Sequence, residues 1–238
     1  MSHLRLVLLL TVSALLSSVA PLRAQVGEYR SALAIGVNGG YCLNKVTFDP
    51  SIKQGYHEGL TMGMTLRYTC ERYFNMLCAI QVEANYAQLG WREVIETSSD
   101  TYSRTVNYMQ VPLLARLSFG REEKGPMGYL VLGPQLDFYL SDSDKRGGEW
   151  SATTLGSRPN NVVAQYNLPV QNSFQYGITG GAGFEFNMRR AGHVMVEGRY
   201  YFGLSNIFHD GKSDPFGRSA NGTIVVKAAY LFDIFSRK

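Results

Sequence analysis

Between residues 107 and 140 the chain alternates hydrophobic with polar or small positions at a period of two. Met109, Val111, Leu113, Ala115, Leu117 and Phe119 share one parity, and Tyr108, Gln110, Leu114, Arg116 and Ser118 share the other. After a short charged Gly-Pro turn over 121–126, Leu130, Leu132, Leu136, Phe138 and Leu140 oppose Tyr129, Gly133, Gln135, Asp137 and Tyr139. Such alternation marks strands with two unlike faces. Strands of soluble sandwiches are usually about 5 or 6 residues long, whereas a tilted strand crossing a bilayer needs about 9–11. Both runs have the longer length and predict a membrane barrel.

The same pattern recurs along the chain. Leu33, Ile35, Val37, Tyr41 and Leu43 oppose Ala34, Gly36, Asn38, Gly40 and Asn44; Leu60, Met62, Met64, Leu66 and Tyr68 oppose Gly59, Thr61, Gly63, Thr65 and Arg67. Ile80, Val82, Ala84 and Tyr86 oppose Gln81, Glu83, Asn85 and Ala87, after which the alternation slips. Further runs cover 174–187, 193–206 and 223–232. Long connections (46–57, 91–103, 141–172 and 207–222) alternate with short ones near Arg72, Lys124 and Arg190. An up-and-down barrel with both termini on one side requires that alternation. The expected fold is therefore all-β: an eight-stranded antiparallel up-and-down transmembrane β-barrel with short periplasmic turns and long extracellular loops.

The aromatic residues fit this orientation. Tyr68, Phe119, Phe186 and Phe232 fall on the apolar parity at the short-turn ends, and Tyr41, Phe138, Tyr176 and Phe202 toward the long-loop ends. Two aromatic rings bracketing an aliphatic band suit the two interfaces of a bilayer. A soluble lipocalin-like barrel would place its apolar parity inside instead.

Composition adds bounds. The 238 residues are 45% hydrophobic and contain no apolar run of the roughly 20 residues that a membrane helix needs, so one domain is expected. Residues 1–24 have the pattern of a signal peptide: a basic head at Arg5, an apolar stretch over 6–16, and Leu22-Arg23-Ala24 before Gln25. This leaves 25–238 as an outer-membrane β-barrel domain. Removing 1–24 takes away two arginines and no acid, lowering the formal net charge from +4 to +2, too balanced for a nucleic-acid partner. The odd set Cys42, Cys70 and Cys78 argues against a disulfide framework. Cys70 and Cys78 flank one short turn, so a bond across the hairpin and packed free thiols are both open.

On the inward parity Arg67, Arg116, Arg199 and Lys227 stand against Glu83, Asp137, Glu185 and Glu197. Eight strands enclose an interior just wide enough for side chains to fill, and unpaired buried charge is costly. The lumen is expected to be a plugged network of these eight charges and not a pore. No catalytic, cofactor or metal site is predicted. His57 and His209 are assigned to outer loops and His193 to a periplasmic turn, all as solvated side chains, although proximity of His57 and His209 is open. The Gly180-Gly181-Ala182-Gly183 run lies inside a strand, where small inward residues beside large neighbours explain it better than a phosphate cradle. Pro112 cannot donate to a ladder, which predicts a bulge or a missing ladder bond.

Four motifs resemble a known family: Ile80-Gln81-Val82-Glu83-Ala84-Asn85-Tyr86 with Gly90; Asn107-Tyr108-Met109-Gln110-Val111-Pro112-Leu113-Leu114; Leu132-Gly133-Pro134; and Gly198-Arg199-Tyr200-Tyr201-Phe202-Gly203-Leu204-Ser205-Asn206-Ile207. In this order they are similar to the PorT-like outer-membrane β-barrels of Bacteroidota. The resemblance implies insertion by the barrel-assembly machinery, with Tyr230 and Phe232 in the insertion signal, contact with outer-membrane lipid and lipopolysaccharide, and secretion-system partners, since the named member is associated with type IX protein secretion. The expected function is a non-enzymatic accessory or scaffold. The alternatives are a ligand- or host-binding barrel using Tyr139, Trp150 and Tyr166 near loop 141–172, a small-solute channel, or a lipid-modifying enzyme.

Overall fold

The computed structural model describes residues 28–120, 125–158, 162–188 and 191–237. The leader over 1–24, the charged turn residues 121–124 and Arg190 lie outside them. Among the described residues, eight long strands follow one another: β1 Glu28–Asp49, β2 His57–Tyr73, β3 Met76–Glu93, β4 Thr101–Gly120, β5 Gly125–Gly147, β6 Phe174–Asn187, β7 His193–Gly203 and β8 Arg218–Arg237. Each pairs antiparallel with the next, and β8 pairs with β1 over a long register that includes Asn38 opposite Ala229. The sheet closes on itself as an eight-stranded barrel, and closure leaves no long strand with a free edge.

The period-two pattern sets the faces. Val37, Met64, Ile80, Leu132, Val196 and Val226 are exposed on the outside, while Gln81, Glu83, Arg116 and Glu197 are buried within. A contiguous apolar exterior of this extent would be unstable in water and is matched to lipid. Sliding any strand by one residue would exchange the two faces, so burial pins the register.

Several strands run past the predicted ends at the long-loop side. β3 continues to Glu93, β4 begins at Thr101, β5 reaches Gly147 and β8 begins at Arg218. The reason is an inversion of polarity. Beyond Ala87 the inward parity is unchanged but carries Leu89 and Trp91, both fully buried, while Arg92 is exposed outside. On β4, Tyr102, Val106 and Tyr108 likewise point inward beside Ser103, Thr105 and Asn107 on the outer parity. Outside a bilayer the inside of the barrel becomes the dry side, so the apparent slip in alternation marks where the wall leaves the membrane. Gly90 has φ +138° at this changeover, and its carbonyl accepts from Asn44 Nδ2 at 2.6 Å. The segment Gln54–Gly55 hooks back onto Arg92 and Glu93 and thickens this collar.

Pro112 takes the second of its two predicted forms. Pairing between β3 and β4 passes from Val82–Leu113 to Asn85–Gln110 with the register kept and the ladder lapsing between. The bulge in this hairpin is elsewhere: Asn107 pairs with Ser141 and Tyr108 with Tyr139, leaving Leu140 unmatched. A bulge reverses parity along its strand. Asp137 and Tyr139 face inward below it, and Asp142 does so above it.

Candidate functional site: a sealed lumen and its cap

The lumen contains two ion clusters. Nearer the short turns, Glu185 takes Arg67 Nη1 at 2.5 Å and Arg116 Nη2, and His193 Nδ1 stands 2.6 Å from its other oxygen in ion-pair rather than hydrogen-bond geometry. His193 Nε2 meets Asp233 at 2.9 Å. Arg116 also lies 3.5 Å over the Tyr129 ring, a desolvated cation–π contact of the kind worth about 2 kcal/mol. In the second cluster Glu83 receives Arg199 Nη2 at 2.7 Å, Lys227 Nζ at 2.5 Å, Gln81 at 2.7 Å and Asn85 at 2.8 Å. Glu197 forms an ion pair with Arg199 Nε and lies 3.7 Å from Lys227. Seven of the eight predicted lumen charges are thus brought together, in two groups.

Two placements differ from expectation. Asp137 stands apart from the ion clusters, fully buried, taking Gln135 Nε2 at 2.9 Å beside Gln110 and Tyr201. Its position on β5 lies beyond the reach of the inward cations, in a layer of neutral partners. There Gln175 donates to Tyr108 Oη at 2.8 Å and Asn221 to Gln175 at 3.0 Å. His193 is not at a solvated turn but buried in the lumen, because β7 begins at this residue with its side chain on the inward parity.

The glycine run of β6 makes room for these groups. A Cβ on Gly183 would stand 2.5 Å from the Tyr129 hydroxyl, and inward Gly181 faces Arg199. Pairs such as Gln81 with Glu83 and Gln135 with Asp137 arise at i and i+2 along one strand, a neighbourhood readable from the chain alone. The partnership of Arg67 with Glu185 requires closure.

Above the polar layers the mouth is filled by an apolar core. Phe48, Leu89, Trp91, Tyr102, Val106, Ile207, Phe208 and Phe216 form it with Tyr166. Tyr102 and Tyr166 meet edge-on at 4.8 Å, as do Trp150 and Tyr166 at 4.9 Å, while Phe208 stacks on Phe216 at 5.4 Å. Residues 148–158 and 162–173 supply much of this packing, with the short helix α1 Ala152–Gly156 capped by Ser151. The stretch predicted as an irregular external loop is a folded cap, with Tyr166 buried and Trp150 and Tyr139 half-buried.

Three carboxylates of the wall hold the cap. Asp100 accepts the amides of Glu149 at 3.0 Å and Trp150 at 3.2 Å and pairs with Arg158 at 2.7 Å. Burial alone would raise its pKa, but the Trp150 amide and Arg158 outweigh that and bring it down to about 2. Asp142 pairs with Arg104 Nη2 at 2.6 Å, and Arg104 Nη1 donates to Leu168 O at 2.6 Å. Glu93 accepts Tyr166 Oη at 2.7 Å and Gln165 Nε2 at 3.1 Å, and burial pushes its pKa above the usual range despite these bonds. The last long loop is also tied in, Ile207 N–H donating to Ser219 O at 2.8 Å.

His57 is buried at the rim and not solvated. Its Nδ1 lies 3.3 Å from Ser103 Oγ and its Nε2 3.2 Å from Thr105 Oγ1, while burial and then Arg92 hold its pKa below the usual value. Both ring nitrogens face hydroxyls, so no carboxylate orients the ring as a general base requires. His209 is exposed, and its amide donates to Gln171 at 2.8 Å. The three cysteines are free thiols, with Cys70 donating weakly to Tyr68 O.

Of the interface aromatics, Tyr41, Phe119, Phe138, Tyr176, Phe186, Phe202 and Phe232 are exposed on the outer face. Tyr68 is half-buried and its hydroxyl lies 3.2 Å from Ser31 Oγ. A groove of about 560 Å³ also lies on this face, lined by Leu130, Ala182, Phe184, Val196, Gly198 and Val226.

Comparison with known proteins adds a family. A family model described as an outer membrane protein beta-barrel domain matches residues 23–209. Among solved structures, the attachment invasion locus protein Ail of Yersinia pestis is 16% identical over 86% of this chain and 99% of its own, with a TM-score of 0.35. OprG from Pseudomonas aeruginosa is 12% identical over 86% of this chain and 98% of its own, with a TM-score of 0.42. The outer membrane enzyme PagL is 12% identical over 85% and 98%, with a TM-score of 0.37. Comparison with curated proteins found no match.

Proposed function

The chain belongs to the outer membrane protein beta-barrel domain family, and from that premise we propose that it works as a closed, non-enzymatic barrel, an outer-membrane anchor that presents a rigid head. The observation that carries this reading is the double seal. Paired charges fill the lumen within the membrane, and an apolar core with a clamped loop fills the mouth beyond it. A solute path would have to break both, one at the cost of buried ion pairs and the other at the cost of aromatic burial. The long-loop end is read as facing outward and the short turns as facing the periplasm.

With the lumen closed, the working surfaces are the head and the short-turn end. Tyr166, buried in the cap, is not a surface contact, which leaves the exposed collar and loop backbone for any partner. The PorT-like motifs direct the search for that partner toward protein secretion of the type IX kind. The test is crosslinking in intact outer membranes with identification of the captured proteins, together with planar-bilayer recordings of the purified barrel. Silent recordings and a reproducible protein partner are expected. Large steady conductance in the unmodified protein refutes the sealed reading, and normal cargo secretion in a deletion strain refutes the export role.

A further inference from the structure

Two thiols meet at the short-turn end of the β2–β3 hairpin. Tyr68 pairs with Ile80, and both belong to the outward parity of their strands. The next outward residue on β2 is Cys70, and the next on β3 is Cys78. Between them the register shifts: Thr69 pairs with Ala79 and Glu71 with Cys78, which leaves Cys70 as the extra residue of a bulge. A bulge sets two residues of one strand against one of its partner, so Cys70 and Glu71 share Cys78. Burial agrees with this placement. Leu77 and Ala79 are buried within the barrel, and Cys78 between them is half-buried on the outer side, as is Cys70.

This arrangement is within reach of a covalent bond. Opposed residues of an antiparallel pair have Cα atoms about 4.5–5.5 Å apart, and a disulfide spans about 4.4–6.8 Å. The two side chains leave the sheet on the same face, and each thiol is close enough to feel the other's charge. Cys70 Sγ makes a weak bond to Tyr68 O at 3.7 Å, which pairing would replace at little cost. Cys42 is out of range of both. It pairs with Gly59, eleven residues from Cys70 along β2 (59 to 70), a distance of about 36 Å, and its thiol is fully buried on the inner side.

The turn that this pair would close needs holding. Phe74 at its tip has φ +53°, a conformation that a bulky side chain rarely adopts, and at 76% exposure its ring has little packing to fix it. Its carbonyl accepts from Arg72 Nε at 2.8 Å.

We propose that Cys70 and Cys78 are an oxidation site, joined in the membrane-inserted protein as an intrachain disulfide across the bulge. One thiolate attacks a sulfur of an oxidant disulfide, carried by an oxidoreductase or a small thiol, and releases one oxidant thiol. The second thiolate then attacks the mixed disulfide, forms the Cys70–Cys78 bond and releases the other oxidant thiol, so the pair gives up two electrons and two protons. Both faces of the outer membrane are oxidising, so this bond forms whichever way the barrel is oriented.

The test is thiol counting on the full-length barrel taken from outer membranes, denatured in a first maleimide, then reduced and exposed to a second of different mass. Of the three cysteines, intact-mass spectrometry should find one carrying the first label, Cys42, and two carrying the second. A non-reduced tryptic digest should yield the Cys70 and Cys78 peptides linked to each other. Three first labels, a linked peptide containing Cys42, or a dimer that reductant dissolves overturns the proposal. Cys78→Ser should leave Cys70 open to the first maleimide, raising the first labels to two; a Cys70 still blocked in that variant also overturns it. Should the variant not reach the membrane, the unmodified barrel refolded into detergent under reductant and then given oxidised glutathione takes its place. Closure within the chain is expected there, and glutathione left on both cysteines, or thiols that stay reduced, overturns the proposal.

Discussion

Replacing Glu185 by Gln keeps the volume of the side chain and removes one charge from the middle of the lower ion cluster. Its carboxylate is fully buried and serves Arg67, 7% exposed, and Arg116, 1% exposed, with His193 at its second oxygen. Without it two guanidiniums face each other in the dry interior with no counter-charge beside them. Breaking a buried ion pair by deleting one partner costs about 3–5 kcal/mol, and here two pairs share the deleted partner, so the upper part of that range applies. Glu185→Leu with Arg67→Met removes the carboxylate together with one of its two guanidiniums, leaving Arg116 as the unmatched charge, and should recover part of the loss. The measurement is reversible guanidinium unfolding of the barrel in lipid vesicles, followed by circular dichroism, for both single variants and the pair. A Glu185→Gln loss below about 1 kcal/mol, or a double variant as unstable as the sum of its parts, would show that these charges are solvated and that the lumen is wet.

Three further outcomes follow from the cap and the packing of the lumen. The cap should tighten as pH falls from 7 toward about 4, because Glu93 has a raised pKa in the folded state and its contribution is lost as pH rises through that value; Asp100, lowered to about 2, contributes above the ordinary carboxylate range and gives way as pH falls through about 2. Trp150 lies in the cap and Trp91 in the apolar core against which the cap packs, so acrylamide quenching reads this directly, and Glu93→Gln should flatten the arm between pH 7 and 4. Truncating Arg116 alone should leave planar-bilayer recordings silent since the mouth stays sealed, and conductance should appear only when residues 148–170 are deleted as well. Gly183→Ala should destabilise the barrel by about 1–3 kcal/mol, measured by the same unfolding assay, because the new Cβ meets the Tyr129 ring and the Val196 carbonyl; Gly198→Ala, whose Cβ has open space outside, should not.

Much of this molecule is written in its period-two pattern. Which residues face lipid, the eight strands, their order and the inward charges all follow from alternation, because a strand places successive side chains on opposite faces and a bilayer tolerates only one kind outside. The i, i+2 neighbours within the lumen follow for the same reason. The pattern ran out where the wall leaves the bilayer. From Ala87 to Glu93 and from Thr101 to Tyr108 the strands continue, but lipid no longer sets which face is apolar, so polarity inverts while the backbone does not change.

Tertiary structure alone decided the rest. Closure of β8 onto β1 brought Arg67 to Glu185 and Arg199 to Glu83 across the lumen, and it left Asp137 among neutral partners. The unmatched Leu140 turned Asp142 inward to Arg104, and residues 148–158 and 162–173 folded into the mouth although they have no periodicity of their own. An isolated strand carries its own two faces in its sequence. Which side chains meet across a closed barrel depends on register, bulges and the chain that fills the opening, and those are set only when all eight strands are paired.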